Sequence, residues 1–299
     1  MRLLVLYSRD GVRTVLKWSY KVARVWGIPI RVHISLIVLL ALIAANFARK
    51  GWESVAFVIA FEVCYFTSIA FHELGHSFVA MRKGCRVREI TLLMFGGVAQ
   101  MEKIPQKPRD EFLMAIAGPF VSLSIGVPAA LAGGYFYVVR QHALAAFPFL
   151  LGSVNIVLAL FNLVPAFPMD GGRILRAALT PRLGRLKATR IASYLGKMLA
   201  LCFLGFAVYR IRRNMDGFVL LVIAVFVFYA AGREYRLVLA EEMARRDDRD
   251  RTRLEAPLSQ APDADYIDST GLTPAEVEEA ILKIVRARTS NGKGHRPPA

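Results

Sequence analysis

The chain has 299 residues, 55% of them hydrophobic, and a mean hydropathy of +0.42, which exceeds that of ordinary soluble domains and favours a membrane protein. The formal net charge of +16 comes from basic residues concentrated beside apolar segments, where anionic lipid headgroups attract them, so nucleic acid is not the expected partner.

The first 31 residues form a basic segment that carries seven lysines and arginines against one acid, Asp10. Basic residues between 9 and 24 recur at helical spacing, which predicts a cytoplasmic helix lying in the membrane interface. The segment lacks an apolar core followed by a cleavage site, so we expect no cleaved signal peptide.

Apolar windows long enough to approach or cross a bilayer follow, because about 20 apolar helical residues span its hydrocarbon core. The sequence therefore predicts an all-α polytopic membrane protein with about six transmembrane helices between residues 32 and 233 and a core at about 54–180. The six predicted spans are 32–48, 54–80, 112–139, 147–167, 190–209 and 216–232.

The second predicted span ends in the motif His72-Glu73-Leu74-Gly75-His76. Two histidines four positions apart share one face of a helix and can bind one metal ion, while the glutamate between them can act on a metal-bound water. An ordinary pair of core histidines is the alternative, but ionisable residues at membrane depth indicate function.

Lysines and arginines cluster before the first span and after the second and fourth spans, whereas the turns near 49–53 and 140–146 carry fewer. One group disagrees, because Arg210, Arg212 and Arg213 would lie on the outer side. The positive-inside rule therefore predicts a multi-pass protein of the cytoplasmic membrane with both termini in the cytoplasm. His72 and His76 then lie near the cytoplasmic side.

A zinc site of catalytic type needs a third protein ligand and leaves one position for water. Asp170 is the best candidate, because the fourth span runs in the same direction as the second and ends at the same depth. Pro165 and Pro168 interrupt the helix there, and Gly171 and Gly172 allow a close turn. An ordinary loop is the alternative for this stretch. The three cysteines are scattered and indicate neither disulfides nor a thiolate site.

These motifs together resemble the site-2 protease family of intramembrane zinc metalloproteases, peptidase family M50. The resemblance rests on His72-Glu73-Leu74-Gly75-His76, on Ala117-Gly118-Pro119 and on residues 162–173, Asn-Leu-Val-Pro-Ala-Phe-Pro-Met-Asp-Gly-Gly-Arg. Residues 27–33 and 95–101 also resemble the family's entry to its first span and its membrane-associated β-hairpin. The compact form is similar to that of the sporulation sigma-factor processing proteases.

The resemblance implies a three-helix catalytic core from spans two to four and a small membrane-associated β-hairpin. It implies that His72, His76 and Asp170 bind one Zn²⁺ per chain and that Glu73 is the general acid and base. It also implies a single-span or membrane-tethered protein as the substrate.

Four further residues are candidates for substrate binding. Asn155 and Asn162 match asparagines of the family's fourth helix and either hold an unwound substrate strand or make ordinary interhelical hydrogen bonds. Gly96 and Gly97 lie in an apolar stretch, residues 92–99, that either offers an edge for strand pairing or only seals the cavity against lipid.

Residues 234–299 form a charged cytoplasmic tail with a linker rich in Pro, Asp and Ser at 255–272. Thr273, Pro274 and Glu276 predict the start of a short helix. Its apolar face either docks on a regulatory partner or belongs to a solvated tail.

The function predicted from the sequence is an intramembrane zinc endopeptidase in which Glu73 activates a zinc-bound water. The alternative is a metal-binding membrane protein without protease activity, such as a transporter or a pseudo-protease scaffold. A glutamate between the two histidines favours the protease.

Overall fold

The computed structural model describes residues 18–102, 105–251, 265, 267, 269 and 272–291. The chain divides into two compact units between Glu242 and Met243, and each unit is described by itself. The first contains a four-stranded sheet and a group of long helices, and the second contains the end of the last of these helices and one further helix.

The sheet has the spatial order β1-β2-β3-β4, with strands β1 (Ser19–Val25), β2 (Ile28–His33), β3 (Val87–Leu93) and β4 (Gly96–Met101). Trp26 and Gly27 join β1 to β2 with positive φ angles of 49° and 82°, the geometry of a tight hairpin turn. Antiparallel pairing also joins β3 to β4. The central pair, β2 and β3, is parallel.

Seven helices accompany the sheet, and the last of them continues past Glu242 into the second unit. They are α1 (Ile34–Phe47), α2 (Trp52–Arg82), α3 (Pro108–Val138), α4 (His142–Asn162), α5 (Asp170–Leu183), α6 (Arg185–Arg212) and α7 (Phe218–Arg251), with one 3₁₀ turn at Ala48–Lys50. Local signals set their ends: α3 begins at a proline with two acids in its first turn, and Gly184, at a φ of 76°, separates α5 from α6.

Five helices, α2, α3, α4, α6 and α7, are long and apolar enough to cross a membrane, and only 22–33% of each one's apolar window is buried within the protein. Most of that apolar surface therefore faces outward, as lipid-facing helices require. The protein is a multi-pass membrane protein.

The first predicted span, 32–48, is shorter than expected. Its helix, α1, has 14 residues, or about 21 Å, and the hydrocarbon core is about 30 Å thick. The part of the chain that the structure describes thus has five helices of spanning length, against the six predicted.

The predicted interfacial helix between residues 9 and 24 is wrong where it can be compared, since Ser19–Val25 is strand β1; residues 1–17 lie outside the described residues. β1 pairs with β2, which extends the predicted hairpin of β3 and β4 into a four-stranded sheet. The parallel contact of β2 and β3, with Ile30 opposite Ile90, joins segments 60 positions apart, so local periodicity could not reveal it.

The hydrophobic core joins this sheet to the helices. Ile28, Ile90 and Ala99 from the sheet are buried in one cluster with Ile69 of α2 and Met114 of α3. The sheet is therefore packed directly on the second half of α2, where the histidine motif lies.

In the second unit, α8 (Pro274–Asn291) begins as the sequence predicts. The backbone N–H and the hydroxyl of Thr273 both donate to Glu276 Oε2 at 2.7 Å, and the Glu276 N–H donates to Thr273 Oγ1 at 3.4 Å. This is the reciprocal capping box.

Candidate metal centre

Helix α2 brings three ionisable side chains of the motif into the protein interior. His72, Glu73 and His76 are 3%, 1% and 1% exposed, although the apolar helix around them is largely open to the outside. The four-residue spacing places both imidazoles on one face, and their ring centroids lie 4.8 Å apart.

Asp170 lies beyond the C-terminal end of α4, at the start of the next helix. That helix ends at Asn162, the chain turns through a cis Phe167–Pro168 bond, and α5 begins at Asp170, which is 2% exposed. A Cβ on Gly172 would lie 2.7 Å from the Ala166 carbonyl carbon. Glycine is required there because the first turn of α5 packs directly on the backbone of the preceding turn.

The three side chains converge on one point. His76 Nε2 lies 3.1 Å from Asp170 Oδ2 and 3.1 Å from His72 Nε2, and His72 Nε2 lies 3.3 Å from Asp170 Oδ2. Burial alone would raise the pKa of the Asp170 carboxyl, but the adjacent imidazoles outweigh burial and hold that pKa well below its usual range. Asp170 is therefore an anionic oxygen donor beside two ring nitrogens.

Helix α3 orients both histidines from behind. His76 Nδ1 lies 2.7 Å from the carbonyl oxygen of Met114, and His72 Nδ1 lies 2.8 Å from Ser122 Oγ. A carbonyl only accepts, so His76 Nδ1 carries a proton, which leaves Nε2 as the nitrogen that could bind a metal ion. Gly118 makes room for the rings, since a Cβ there would lie 2.6 Å from His72 Nε2.

This donor set fits zinc. Ligand atoms around a tetrahedral zinc ion at 2.0–2.1 Å are separated by about 3.3 Å, and the three separations observed here are 3.1, 3.1 and 3.3 Å. Two neutral imidazoles and one carboxylate are also a common protein ligand set for catalytic zinc. The three residues are the only metal-binding group of this kind among the described residues.

Glu73 is placed beside this centre and beneath the sheet. Its Oε2 atom is buried and has no hydrogen-bond partner among the described residues. Strand β4 lies against it so closely that a Cβ on Gly97 would be 2.6 Å from Glu73 Cγ. A carboxylate oxygen without a partner, next to three candidate metal ligands, could accept a proton.

Three other predicted site residues, Gly96, Asn155 and Asn162, do not belong to the cluster of candidate metal ligands. Gly96 begins β4 with a φ of 126°, one residue before the glycine that contacts Glu73. The amides of Asn155 and Asn162 donate to the carbonyls of Leu151 and Leu158 in their own helix.

Packing of α3 against α4 sets the depth of the two asparagines. Asn155 faces Gly126, where a Cβ would lie 3.1 Å from Asn155 Cβ, about two helical turns from Gly118. Because α4 runs antiparallel to α3, Asn162 lies about two turns nearer to the metal centre.

Several residues of the site were missed by sequence reasoning. Met114 acts through its carbonyl oxygen, which no side-chain pattern can reveal. Ser122 is an ordinary helical serine in the sequence. Gly118, followed by Pro119 within an apolar helix, is the one signal that a close contact was required there.

Comparison with known proteins gives two separate likenesses. The sequence profile of peptidase family M50 matches residues 60–141 and 137–204. A zinc metalloprotease of Methanocaldococcus jannaschii is 39% identical over 228 residues, covering 76% of this chain and 63% of that protein. The solved structure of a site-2 protease from the same organism superposes with a TM-score of 0.53 at 35% identity, covering 73% of this chain and 95% of that one.

The chain spans 49–63% of the length of the first curated metalloproteases that it matches.

Its C-terminal part has a different likeness, which the sequence reasoning missed. The profile of cytidylate kinase matches residues 230–287, and 55 residues are 69% identical to a cytidylate kinase of Solibacter usitatus. That stretch is 18% of this chain and 24% of the kinase, so the likeness concerns one segment.

Proposed function

The chain belongs to peptidase family M50, the site-2 protease family of zinc metalloproteases, and from this premise we propose that it is an intramembrane zinc endopeptidase. The observation that carries the proposal is the buried centre of His72, His76 and Asp170, with the partnerless carboxylate oxygen of Glu73 beside it. A transporter or scaffold would have no use for such a carboxylate between two metal-binding histidines.

One zinc ion per chain would be held by His72 Nε2, His76 Nε2 and the Asp170 carboxylate. When bound, zinc supplies a Lewis acid that polarises a peptide carbonyl and lowers the pKa of water. The hydrogen bonds from α3 fix both imidazole planes, so the ring nitrogens require little reorganisation when the metal enters.

Glu73 would carry the protons of the reaction. Its free Oε2 accepts a proton from the attacking water and then donates that proton to the nitrogen of the leaving amine, as the C–N bond breaks. Gly97 packs closely against the Glu73 side chain and so helps to hold the carboxylate in place.

Strand β4 would align the substrate. It is the last strand of the sheet, so its outer edge has no strand partner among the described residues. A transmembrane substrate must be locally unwound before its carbonyls can be attacked, and an unwound segment can add to such an edge by backbone hydrogen bonds. Gly96 and Gly97 lie on this edge beside Glu73, and Asn162 lies at a similar depth on α4.

We propose that the substrate is a single-span or membrane-tethered protein, cut near the cytoplasmic side of the cell membrane. The helices α2 and α4 both run toward the centre at their C-terminal ends, where basic residues follow: Arg82 and Lys83 at the end of α2, and Arg173 in the first turn of α5. By the positive-inside rule we propose that these ends face the cytoplasm. The location of both termini in the cytoplasm stays a prediction, because it requires an even number of crossings and five of the described helices have spanning length. A regulatory partner at the tail stays a prediction.

The experiment that tests this function compares the membrane proteomes of cells expressing the wild type or Glu73→Gln. A single-span or membrane-tethered substrate should accumulate in the variant and be cut in the wild type, because only the wild type retains the proposed general acid and base. Equal substrate levels in both strains, with both proteins expressed and loaded with zinc, would favour the non-proteolytic alternative.

A further inference from the structure

A group of buried charges lies directly behind the metal centre, and the proposed chemistry does not use it. Arg173 and Arg176 follow Asp170 by one and by nearly two turns of α5, and Glu111 is in the first turn of α3. Each of these three residues is 1% exposed. Burial of three charged side chains is expensive unless they are paired in a defined geometry.

Arg176 and Glu111 form the centre of this group. Arg176 donates from Nε to Glu111 Oε1 at 2.8 Å, and its Nη2 contacts the same oxygen. The guanidinium carbon also lies 5.0 Å from the centroid of the Phe167 ring, in the turn that leads to Asp170. The pair thus connects α3 to the helix that begins with the third ligand.

Three further contacts surround the pair. Arg185 Nη1 lies 3.8 Å from Glu111 Oε2, and Arg173 Nη2 lies 3.5 Å from Glu234 Oε1 on α7. Glu234 Oε2 lies 3.9 Å from Arg176 Nη1. These distances are longer than those of the central pair, so Arg176 and Glu111 make the strongest connection.

The same helix, α3, already positions the two histidines. Met114 and Ser122 accept or share hydrogen bonds with the Nδ1 atoms of His76 and His72. Glu111 precedes Met114 by three residues, one turn along the same helix. Helix α3 therefore contacts both histidines directly and is connected to the helix of Asp170 through the pair of Glu111 and Arg176.

The first turn of α5 needs such a connection. Its N-cap, Met169, makes no side-chain cap hydrogen bond, and two glycines follow Asp170, which give the local backbone little rigidity of its own. We infer that Glu111 and Arg176 are positioning residues that hold the Asp170 carboxylate at the distance the metal requires. This inference rests on the proposed zinc site and adds two residues to it.

The test uses the full-length protein in detergent and compares four forms: wild type, Glu111→Gln, Arg176→Lys and Glu102→Gln. Glu102 is the matched control, because it undergoes the same chemical change in an exposed pair with Arg88, at 3.0 Å, away from the centre. Zinc affinity is measured by competition with a chelator. The visible spectrum of the Co²⁺-substituted protein reports the ligand geometry independently of activity.

Glu111→Gln should weaken zinc binding roughly tenfold, the scale seen for partners of metal ligands, and should change the Co²⁺ spectrum. Arg176→Lys keeps the charge but loses the planar fork, so its loss should be smaller, and Glu102→Gln should match the wild type. If Glu111→Gln does not accumulate, Arg176→Lys decides the question.

Wild-type affinity and an unchanged Co²⁺ spectrum in Glu111→Gln and Arg176→Lys would overturn the inference and leave the proposed function intact, even if both variants melt at a lower temperature. A wild-type protein that binds neither metal would instead refute the proposed zinc site.

Discussion

Gly118 offers the most direct test of how tightly the histidines are packed. A Cβ at this position would lie 2.5 Å from His76 Cε1 and 2.6 Å from His72 Nε2, whereas non-bonded atoms of this kind rest at about 3.5–4.0 Å. Gly118→Ala therefore forces the two rings away by about 1 Å, against a tolerance of about 0.2 Å for metal–ligand distances.

The magnitude follows from the cost of overpacking. Without metal the rings can relieve the clash by giving up their hydrogen bonds with Met114 and Ser122. Bound zinc opposes that displacement, so the cost falls mainly on the zinc-bound state. An added methyl group in a packed site costs about 1–3 kcal/mol, and each 1.4 kcal/mol is tenfold in affinity. The zinc dissociation constant of Gly118→Ala should therefore rise roughly 5- to 140-fold.

Gly134 supplies the matched control, because it lies in the same helix and a Cβ there meets nothing within 4 Å. Gly134→Ala should bind zinc like the wild type. The assay is a chelator competition with the purified proteins in detergent. Equal zinc affinities for Gly118→Ala and Gly134→Ala would refute the close packing of Gly118 against the metal-binding rings.

Three further outcomes are expected. Glu73→Gln should keep the wild-type zinc content and lose cleavage by roughly 10²–10⁴-fold, the usual contribution of a general acid and base; loss of zinc would make Glu73 structural. Gly97→Ala should keep zinc but lower turnover by up to about 10²-fold. The new methyl group would lie 2.6 Å from Glu73 Cγ and so displace the carboxylate by about 1 Å. Unchanged turnover would contradict this contact. Thr273→Ala should remove the cap of α8 and destabilise that helix by about 0.5–2 kcal/mol, which amide hydrogen exchange in its first turn measures; unaltered exchange would show that the capping box contributes nothing.

The convergence of the three candidate metal ligands was predictable from sequence because it follows from two simple rules. Helical spacing placed His72 and His76 on one face, and span direction brought Asp170 to the same depth, as the 3.1 Å separation of His76 Nε2 and Asp170 Oδ2 shows. The start of α8 at Pro274 was also predictable, since a capping box depends on four consecutive residues.

Features that depend on distant contacts were not predictable. The basic stretch that includes Lys21 and Arg24 has helical spacing, but β1 forms because β2 offers it an antiparallel partner. Nor does the sequence pattern indicate that α3 supplies the orienting groups, because one is the backbone carbonyl of Met114. Glu111 and Arg176 are 65 positions apart, so their pairing becomes visible only when α3 and α5 are packed together.

The central claim is that His72, His76 and Asp170 hold one zinc ion, and the zinc K-edge X-ray absorption spectrum of the purified chain tests it most directly. The account predicts two imidazole nitrogens at about 2.0–2.1 Å, with carboxylate oxygen at about 2.0–2.2 Å. Sulfur at about 2.3 Å, or fewer than two imidazoles, would contradict it, because the site would then not be built from these three residues.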